Sequence, residues 1–278
     1  MDRVRRLGVR IKLKRMSYDH ARKAGNRGDV WKHFTLVTVA DSLVATDRFR
    51  YVDTHSGAPC YQLGPTGEWK LGIGKVLAEC GSLLPHSYFE VASSFVRNHT
   101  YPSGWWFVAN RLSARCQHVE VALTDEAQLV AVRYEVSSLP DIPANVTFCF
   151  NQEDGFRRLE SVNNADLVLV DPPYSPDAAA DWERTALACR SLMERHIPFL
   201  VWYPVFWHTK PKRLVTDTGC SAWKLTWAQI SPKPSQNLKG CGVLASPGLN
   251  EILQGAARSF EALASCLGGT FQIRSFEG

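Results

Sequence analysis

The pattern of apolar and polar positions predicts buried strands that alternate with helices along most of the chain. The clearest apolar run is Leu167-Val168-Leu169-Val170, which is typical of a fully buried strand in a parallel sheet. Asp171-Pro172-Pro173-Tyr174 follows directly, and prolines cannot donate ladder hydrogen bonds. We therefore predict that the strand ends at Val170. Asp171 then lies at the carboxyl end of a buried strand, where open α/β sheets bind ligands.

The same pattern predicts the other elements. Strands are predicted at Phe49–Gly57 (with its turn), Gln117–Ala122, Val146–Phe150, Pro198–Tyr203, Ala222–Ile230, Gly242–Ala245 and Phe271–Ile273. Helices are predicted from an N-cap at Asp29 to Leu43 and at Trp69–Cys80, His86–Arg97, Trp105–Ser113, Asp125–Tyr134, Gly155–Val162, Pro176–Arg195 and Asn250–Leu267. The alternation indicates a doubly wound, mostly parallel α/β sheet, and the loop at Ser231–Gly240 favours a hairpin at one sheet edge.

Two segments stand apart from the alternating pattern. Residues 61–101 lack the alternation of strands, and we predict that they form a small helical insertion in a domain spanning 16–278. The first fifteen residues carry seven basic residues and one acidic residue, whereas the whole chain has a net charge of +5. The rest of the chain is thus close to neutral. Residues 1–15 are interpreted as an arm that contacts RNA, as a disordered tail, or as sequence upstream of a start at Met16.

Composition narrows the class of protein. The chain has 278 residues, of which 45% are hydrophobic, and no apolar run has the length of a membrane span. The N-terminus lacks the apolar core of a secretory signal, so we expect a cytoplasmic protein without a membrane partner. The eight cysteines form no C-x-x-C pair. We therefore expect reduced thiols and no metal site.

The residue types after the predicted central strand suit chemistry on an exocyclic amine such as that of adenine. Asp171 can accept a hydrogen bond from such an amine, and the carbonyl of Pro172 can accept a second one. Tyr174 can stack on a base that has been pulled out of its helix. The structural alternative is a strand followed by a proline turn. The buried strand before the motif favours the functional interpretation.

Further acids near the ends of predicted strands point to a nucleoside site. Asp53 ends the first strand, which lacks the full glycine pattern of dinucleotide enzymes. Glu120 is predicted to lie at the end of the second strand and to accept both ribose hydroxyls. Asp154 and the N–H of Gly155 are candidates for contacts with an adenine ring. The alternative role of each acid is a helix cap or a surface charge.

Several motifs, in this order, resemble the RlmJ-type family of 23S ribosomal RNA adenine-N6 methyltransferases. The resemblance extends over essentially the whole chain from Met16. It rests on Ser17-Tyr18, Ala24-Gly25-Asn26, Asp29-Val30-Trp31-Lys32-His33, Tyr51-Val52-Asp53-Thr54-His55-Ser56-Gly57, Tyr61-Gln62-Leu63, Asp154-Gly155-Phe156, Asp171-Pro172-Pro173-Tyr174 and Trp202-Tyr203-Pro204-Val205.

The resemblance implies a Rossmann-like methyltransferase fold with a small helical insertion, S-adenosylmethionine as cofactor and 23S ribosomal RNA as partner. Protein-free or early-assembly RNA is the expected form of the substrate. By position in the family, Asp171 is catalytic and Tyr18 lies beside the target nucleotide. The positions that the resemblance implies for the cofactor are Lys32, His33, His55, Glu120, Asp154, Gly155 and Asp171, and a serine of the family aligns with Gly104, beside Ser103.

Two other functions stay open from the residues alone. A DNA adenine-N6 methyltransferase would use the same motif at Asp171, but it usually needs a further domain to recognise duplex sequence. A non-catalytic RNA-binding module on a methyltransferase scaffold is the third hypothesis. Its motivation is that Gly104 and Pro59 depart from the family pattern.

Overall fold

The computed structural model describes most of the chain, and every structural statement below refers to that part. The described residues are 20–43, 47–125, 133, 135–136, 142–174, 179–205, 209–227 and 238–274. The predicted basic arm at 1–15, the predicted substrate contact Tyr18 and most of the predicted helix Asp125–Tyr134 lie outside them. The division of the chain into arm, domain and insertion stays a prediction.

The described strands form one large sheet and one small one. The strands are β1 (Arg48–Asp53), β2 (Cys60–Gln62), β3 (Thr100–Pro102), β4 (His118–Thr124), β5 (Val146–Asn151), β6 (Leu167–Val170), β7 (Phe199–Pro204), β8 (Ser221–Trp227), β9 (Gly240–Ala245) and β10 (Gly269–Arg274). Eight of them pair in the order β10-β8-β9-β7-β6-β1-β4-β5, and β2 pairs with β3 alone. The five strands from β7 to β5 in that order are parallel, whereas β9, β8 and β10 pair antiparallel.

Ten α-helices are described, on both faces of the large sheet. They are α1 (His20–Lys23), α2 (Arg27–Leu43), α3 (Ile73–Glu79), α4 (Ser87–Arg97), α5 (Gly104–Ser113), α6 (Gly155–Ser161), α7 (Ala179–Glu194), α8 (Thr209–Thr218), α9 (Asn250–Gly255) and α10 (Ala257–Cys266). No helix among the described residues is long and apolar enough to span a bilayer. The predicted α/β class is confirmed, with a Rossmann-like central parallel sheet.

Two hydrophobic cores hold these layers together. One lies between the sheet and the helices α2, α5, α9 and α10, and the other between the sheet and α6, α7 and α8. Trp31 of α2 is fully buried in the first core, and its indole N–H donates to the carbonyl oxygen of Trp223 at 3.1 Å. The helix that carries the N-terminal motif is thereby attached to the antiparallel part of the sheet.

Several predicted local features differ from the structure. Helix α8 was not predicted because its sequence is mostly polar, with a proline at position 211. The predicted helix Asn250–Leu267 is two helices that meet at Ala256. The hairpin of β8 and β9 is not at the sheet edge, because β10 pairs with β8 on its outer side. Asn26, not Asp29, caps α2, since its Oδ1 accepts the Asp29 N–H at 3.0 Å.

The cysteine prediction is wrong for one pair. Cys80 follows α3 directly, Cys266 ends α10, and the two form a disulfide with their Cα atoms 6.3 Å apart. They are 186 residues apart in sequence, so spacing could not reveal them. The remaining six cysteines are free thiols. The disulfide links the predicted insertion to the C-terminal helices.

The order of the strands creates the place for a site. The chain passes from β1 to β4 and β5 on one side, then crosses to β6 and β7 on the other side of β1. In open α/β sheets, ligands bind outside the carboxyl ends of the strands at such a reversal. Asp53 ends β1, and Asp171 follows β6 on the neighbouring strand.

Candidate active site

A large cleft lies at the carboxyl ends of β1, β4 and β6, with a volume of about 1230 Å³. Small-molecule sites typically enclose roughly 300–1,000 Å³, so this cleft can hold a cofactor and part of a second ligand. Its floor includes the loop after β1, which bridges the two neighbouring strands. Thr54 Oγ1 donates to Leu169 O at 3.1 Å, and Ser56 Oγ donates to Thr124 O at 3.1 Å. The loop is therefore held against both β6 and β4.

An ion pair joins the predicted catalytic acid to α2. Lys32 Nζ lies 2.7 Å from Asp171 Oδ2 and 3.3 Å from Asp29 Oδ1. The side chains of Lys32 and Asp171 are only 14% and 19% exposed, so the pair is shielded from solvent. Such charge-assisted contacts are the stronger class of hydrogen bond. The sequence prediction brought both residues into one region, and the structure brings them into direct contact.

The pKa values of Lys32 and Asp53 are both raised around this pair. A raised pKa keeps the lysine charged, whereas it favours the neutral form of the aspartate. Burial alone would lower the pKa of Lys32, but the charges of Asp171 and Asp29 raise it above its ordinary value. Lys32 therefore stays a cation next to Asp171. Burial and the negative charge of Asp171 raise the pKa of Asp53 to about 7. Asp53 accepts from Tyr51 Oη and from the His55 N–H, both at 3.2 Å, and it can hold a proton near neutral pH.

His33 and the start of α5 form another part of the cleft wall. His33 is 3% exposed, and burial together with the charge of Lys32 holds its pKa well below the usual value. A Cβ at Gly104 would lie 3.3 Å from the His33 ring, so glycine allows this close packing. Ser103 lines the cleft beside them, and its buried Oγ has no hydrogen-bond partner among the described residues. An orphaned hydroxyl of this kind is expected where a polar ligand binds.

His55 and Gly155 meet on the β4 side of the cleft. Burial lowers the pKa of His55 to about 4, so its imidazole is neutral at pH 7. A Cβ at Gly155 would lie 2.0 Å from Thr54 O and 2.8 Å from His55 Nε2. Only glycine lets the start of α6 approach the loop after β1 this closely. Gly155 lines the cleft as predicted, although the contact that requires glycine is with the protein itself.

Asp154 caps α6 and also lines the cleft. Its Oδ1 accepts the N–H groups of Phe156 and Arg157, each at 3.0 Å, and the same oxygen pairs with Arg184. Partial burial opposes ionisation, yet the hydrogen bonds from Arg184 and from the backbone keep the pKa of Asp154 below its usual value. The helix cap that the sequence left as an alternative is therefore present, in a residue that also faces the cleft.

The prediction that Glu120 stands at the end of its strand is wrong. The strand continues to Thr124, two residues beyond the predicted end, so Glu120 is separated from the cleft by roughly 13 Å of strand. Its carboxylate pairs with Arg50 Nε at 2.9 Å. The acid at the cleft end is Asp125, the first residue after β4, which lines the cleft. Its signal in the sequence is that it directly follows the run Val119–Thr124.

The structure contradicts the prediction that Tyr174 offers a stacking surface in the cleft. Tyr174 is 2% exposed, and its ring packs in the second core, 4.6 Å from the ring of Trp182. Its φ of 42° lies in the left-handed region, which turns the side chain away from the line of Asp171-Pro172-Pro173. Pro172 and Pro173 themselves line the cleft. Trp202 is the aromatic side chain of β7 that lines the cleft, and its ring centroid lies 5.8 Å from Lys32 Nζ.

These donors and acceptors fit a nucleoside cofactor with a charged amino-acid end. Carboxylates suit hydroxyl and amino groups, and Asp125, Asp154 and Asp171 all line the cleft. His33 and the orphaned hydroxyl of Ser103 suit an acceptor such as a carboxylate. Within the described residues, no group of three metal-binding side chains is assembled.

Comparisons with known proteins relate the chain to a family. The family model described as "Ribosomal RNA large subunit methyltransferase D, RlmJ" matches residues 46–247. Ribosomal RNA large subunit methyltransferase J of Escherichia coli (strain K12) is 28% identical over 243 residues, which are 81% of this chain and 83% of that protein. The protein of that name from Haemophilus influenzae (strain ATCC 51907 / DSM 11121 / KW20 / Rd) is 25% identical over 245 residues, with the same coverage of both chains.

A solved structure supports the fold. A crystal structure of a protein from Legionella pneumophila str. Philadelphia 1 superposes with a TM-score of 0.74 at 21% identity, over 91% of this chain and 98% of that one. The family model spans well over half of the chain. This protein therefore belongs to the RlmJ family and is an S-adenosylmethionine-dependent methyltransferase of large-subunit ribosomal RNA.

Proposed function

We propose that the cleft binds S-adenosylmethionine and one extruded adenosine of 23S ribosomal RNA, and that methylation occurs on N6 of that adenine. The observation that carries this proposal is the partly buried ion pair between Lys32 Nζ and Asp171 Oδ2, 2.7 Å apart at the carboxyl end of β6. The carboxylate of Asp171, followed by two prolines that line the cleft, provides acceptors for an exocyclic amine.

Asp171 has two tasks in this mechanism. Lys32 holds its Oδ2, and we propose that Oδ1 accepts one N–H of the target amine while the carbonyl of Pro172 accepts the other. Both contacts orient the nitrogen lone pair toward the methyl group. Positive charge develops on N6 as the C–N bond forms, and a carboxylate beside that atom stabilises it. When bound, S-adenosylmethionine would supply an electrophilic methyl group with a neutral thioether as the leaving group, and the proton that N6 then loses would pass to solvent.

The cofactor is proposed to lie on the β1 and β4 side of the cleft. Asp125 would accept the ribose hydroxyls, in place of the predicted Glu120. His33 and Ser103 would hold the carboxylate end, beside Gly104 at the start of α5, where a helix N-terminus also favours negative charge. The adenine end would lie near His55, Asp154 and Gly155. In this proposal Lys32 acts on the cofactor region only through Asp171.

The target base is proposed to stack on Trp202. Bases that are pulled out of a helix are commonly held against an aromatic face. Trp202 is half-buried, lines the cleft and lies within 5.8 Å of the Lys32 ammonium that contacts Asp171. Tyr174 is then a structural residue of the second core, packed against Trp182.

The RNA strand is proposed to cross the rim formed by α1, the start of α2 and β8. Arg22, Lys23, Arg27 and Trp227 line the cleft there, and the Arg27 guanidinium lies 5.6 Å from the Trp227 ring centroid. Cationic side chains beside a half-buried aromatic ring that lines the cleft suit a single-stranded segment. An extruded base requires an RNA that is not covered by ribosomal proteins, so we propose protein-free or early-assembly 23S RNA. Such a substrate agrees with the cytoplasmic location expected from the sequence.

The test is methylation in vitro with a radiolabelled cofactor. Protein-free 23S RNA, duplex DNA and 23S RNA within assembled large subunits are offered separately to the wild-type protein and to Asp171→Asn. Labelled N6-methyladenosine from the protein-free RNA, strongly reduced in the variant, is the expected result. Methylation of the duplex DNA alone, or saturable RNA binding with no methyl transfer, would contradict the proposal.

A further inference from the structure

Three buried polar side chains form a hydrogen-bonded chain that ends at the cleft. His33 Nδ1 lies 2.9 Å from Tyr101 Oη, and Tyr101 Oη lies 2.8 Å from Tyr88 Oη. The exposures of His33, Tyr101 and Tyr88 are 3%, 1% and 0%, so water does not compete for these groups. The three residues come from α2, β3 and α4, and two of them therefore belong to the predicted insertion or its edge.

The direction of the hydrogen bonds follows from counting hydrogens. His33 is neutral, because burial and the charge of Lys32 hold its pKa well below the usual value, so one ring nitrogen carries a hydrogen. If Tyr88 donates to Tyr101 and Tyr101 donates to Nδ1, both hydroxyl hydrogens are used. In the opposite direction the Tyr88 hydroxyl hydrogen has no acceptor among the described residues. Leaving a buried donor unpaired is costly, which favours the first direction.

The first direction leaves the hydrogen of His33 on Nε2. That atom faces the start of α5, because a Cβ at Gly104 would lie 3.3 Å from it. Ser103 lies beside Gly104 and carries the orphaned Oγ, and all three residues line the cleft. Two hydrogen-bond donors are thus available at one corner of the cleft. Their common partner must be an acceptor-rich group, and a carboxylate fits best.

We propose that Tyr101 and Tyr88 are positioning residues, which set the tautomer of His33 so that its Nε2–H donates into the cleft to the carboxylate of the cofactor. The second half of this proposal rests on the proposed function, whereas the tautomer itself belongs to the protein without cofactor. The insertion thereby takes part in the site, since Tyr88 of α4 supplies the first hydrogen of the chain.

The tautomer is measured directly by nitrogen NMR of histidine-labelled protein without cofactor, with the His33 signals assigned through His33→Gln. The expected wild-type spectrum shows a protonated Nε2 and an unprotonated Nδ1. In Tyr101→Phe the fixed tautomer should be lost, because the donor to Nδ1 is gone. Tyr203→Phe removes the hydroxyl of an equally buried tyrosine of β7 and should leave the His33 signals unchanged. A protonated Nδ1 in the wild type, or an unchanged spectrum in Tyr101→Phe, would overturn the proposal.

The effect on the cofactor is measured separately by calorimetry with S-adenosylhomocysteine. Tyr101→Phe should weaken binding about two- to tenfold, the range of one neutral hydrogen bond. The turnover number at saturating cofactor should stay close to that of the wild type, and Tyr203→Phe should bind normally. If the tautomer changes but the affinity does not, the positioning role holds and the proposed contact of His33 with the cofactor is wrong. Thermal melts of each variant separate both outcomes from loss of folding.

Discussion

Lys32 Nζ and Asp171 Oδ2 lie 2.7 Å apart, although 139 residues separate them in sequence. Lys32 comes from the helix that carries the N-terminal motif, and Asp171 follows the central strand. The lysine thus fixes one oxygen of the carboxylate close to the buried Asp53. The two motifs that were found separately in the sequence form a single chemical unit.

Asp171→Asn should lower the turnover number on protein-free RNA about tenfold to a hundredfold. The amide keeps the shape of the side chain but loses a charged acceptor, and charge-assisted hydrogen bonds contribute about 1.5–3 kcal/mol. Single-turnover methylation measures this loss after correction for the folded fraction. Asp166→Asn is the matched control at the other end of β6, where Asp166 Oδ2 accepts the Arg50 N–H. Equal rates in the two variants would remove Asp171 from the mechanism.

Asp125→Asn should weaken binding of S-adenosylhomocysteine about tenfold to a hundredfold, because two ribose hydroxyls lose a charged acceptor. Glu120→Gln makes the same chemical change within β4, outside the cleft, and should leave the affinity unchanged. Calorimetry on both variants decides between the two acids. If only Glu120→Gln weakens binding, the assignment from the strand register is incorrect.

Asp53→Asn should change how stability depends on pH. The folded protein keeps the proton of Asp53 up to a pKa of about 7, whereas an unfolded aspartate loses it near pH 4. Between these values the folded state binds more protons, so ionisation favours unfolding and this residue lowers wild-type stability as the pH rises. The asparagine variant lacks this loss, which amounts to at most about 1.4 kcal/mol per pH unit.

Urea denaturation of both proteins from pH 4.5 to 7.5 measures the effect. His55 and His86, whose pKa values burial lowers to about 4, act in the opposite sense, because their protonation in the unfolded state lowers stability in acid. They are present in both proteins, so the difference between the two curves isolates Asp53. Parallel curves would mean that Asp53 ionises normally in the folded protein.

Tyr174→Ala should act on stability. Removing a fully buried aromatic side chain from a packed core typically costs about 3–5 kcal/mol of unfolding free energy. Tyr174→Phe loses only a hydrogen bond of 3.4 Å to Thr185 Oγ1 and should stay within about 1 kcal/mol of the wild type. Urea denaturation provides both values. A Tyr174→Ala variant of normal stability that fails to methylate RNA would show that Tyr174 acts in the active site.

Trp202 lines the cleft and is proposed to have the stacking role that was predicted for Tyr174. Trp202→Leu should reduce kcat/KM for RNA about fivefold to a hundredfold, since stacking on a base is worth about 1–3 kcal/mol. Trp202→Phe keeps an aromatic face and should retain most of the activity, and neither variant should alter the affinity for S-adenosylhomocysteine. Equal kinetics of the leucine and phenylalanine variants would exclude a stacking role.

Arg27→Ala should weaken RNA binding and flatten its dependence on salt. A phosphate contact that is lost reduces the slope of log affinity against log salt by about one. Filter binding of an rRNA fragment between low and high salt measures this slope. Arg190→Ala removes an exposed arginine of α7 that donates to Asp217 O, away from the cleft, and should keep the wild-type slope. Identical slopes for both variants would place the RNA elsewhere.

The sequence by itself determined the parts of the site that depend on strand ends. Buried apolar runs that stop at an acid identify β1 and β6, and the carboxyl ends of parallel neighbours meet at one sheet edge. Asp53 and Asp171 were therefore predicted correctly at that edge, and the order of the motifs indicated the family. The alternation of strands and helices was enough for the fold class, because each element type has its own period of buried positions.

The tertiary structure decided everything that depends on register and direction. Because β4 extends two residues beyond its predicted end, Asp125 lies at the cleft and Glu120 does not. A positive φ at Tyr174 turns its side chain into the core. The disulfide between Cys80 and Cys266 and the chain from Tyr88 to His33 join residues that are distant in sequence. Such contacts arise when separate elements pack together, and local patterns of hydrophobicity carry no information about which side chains then meet.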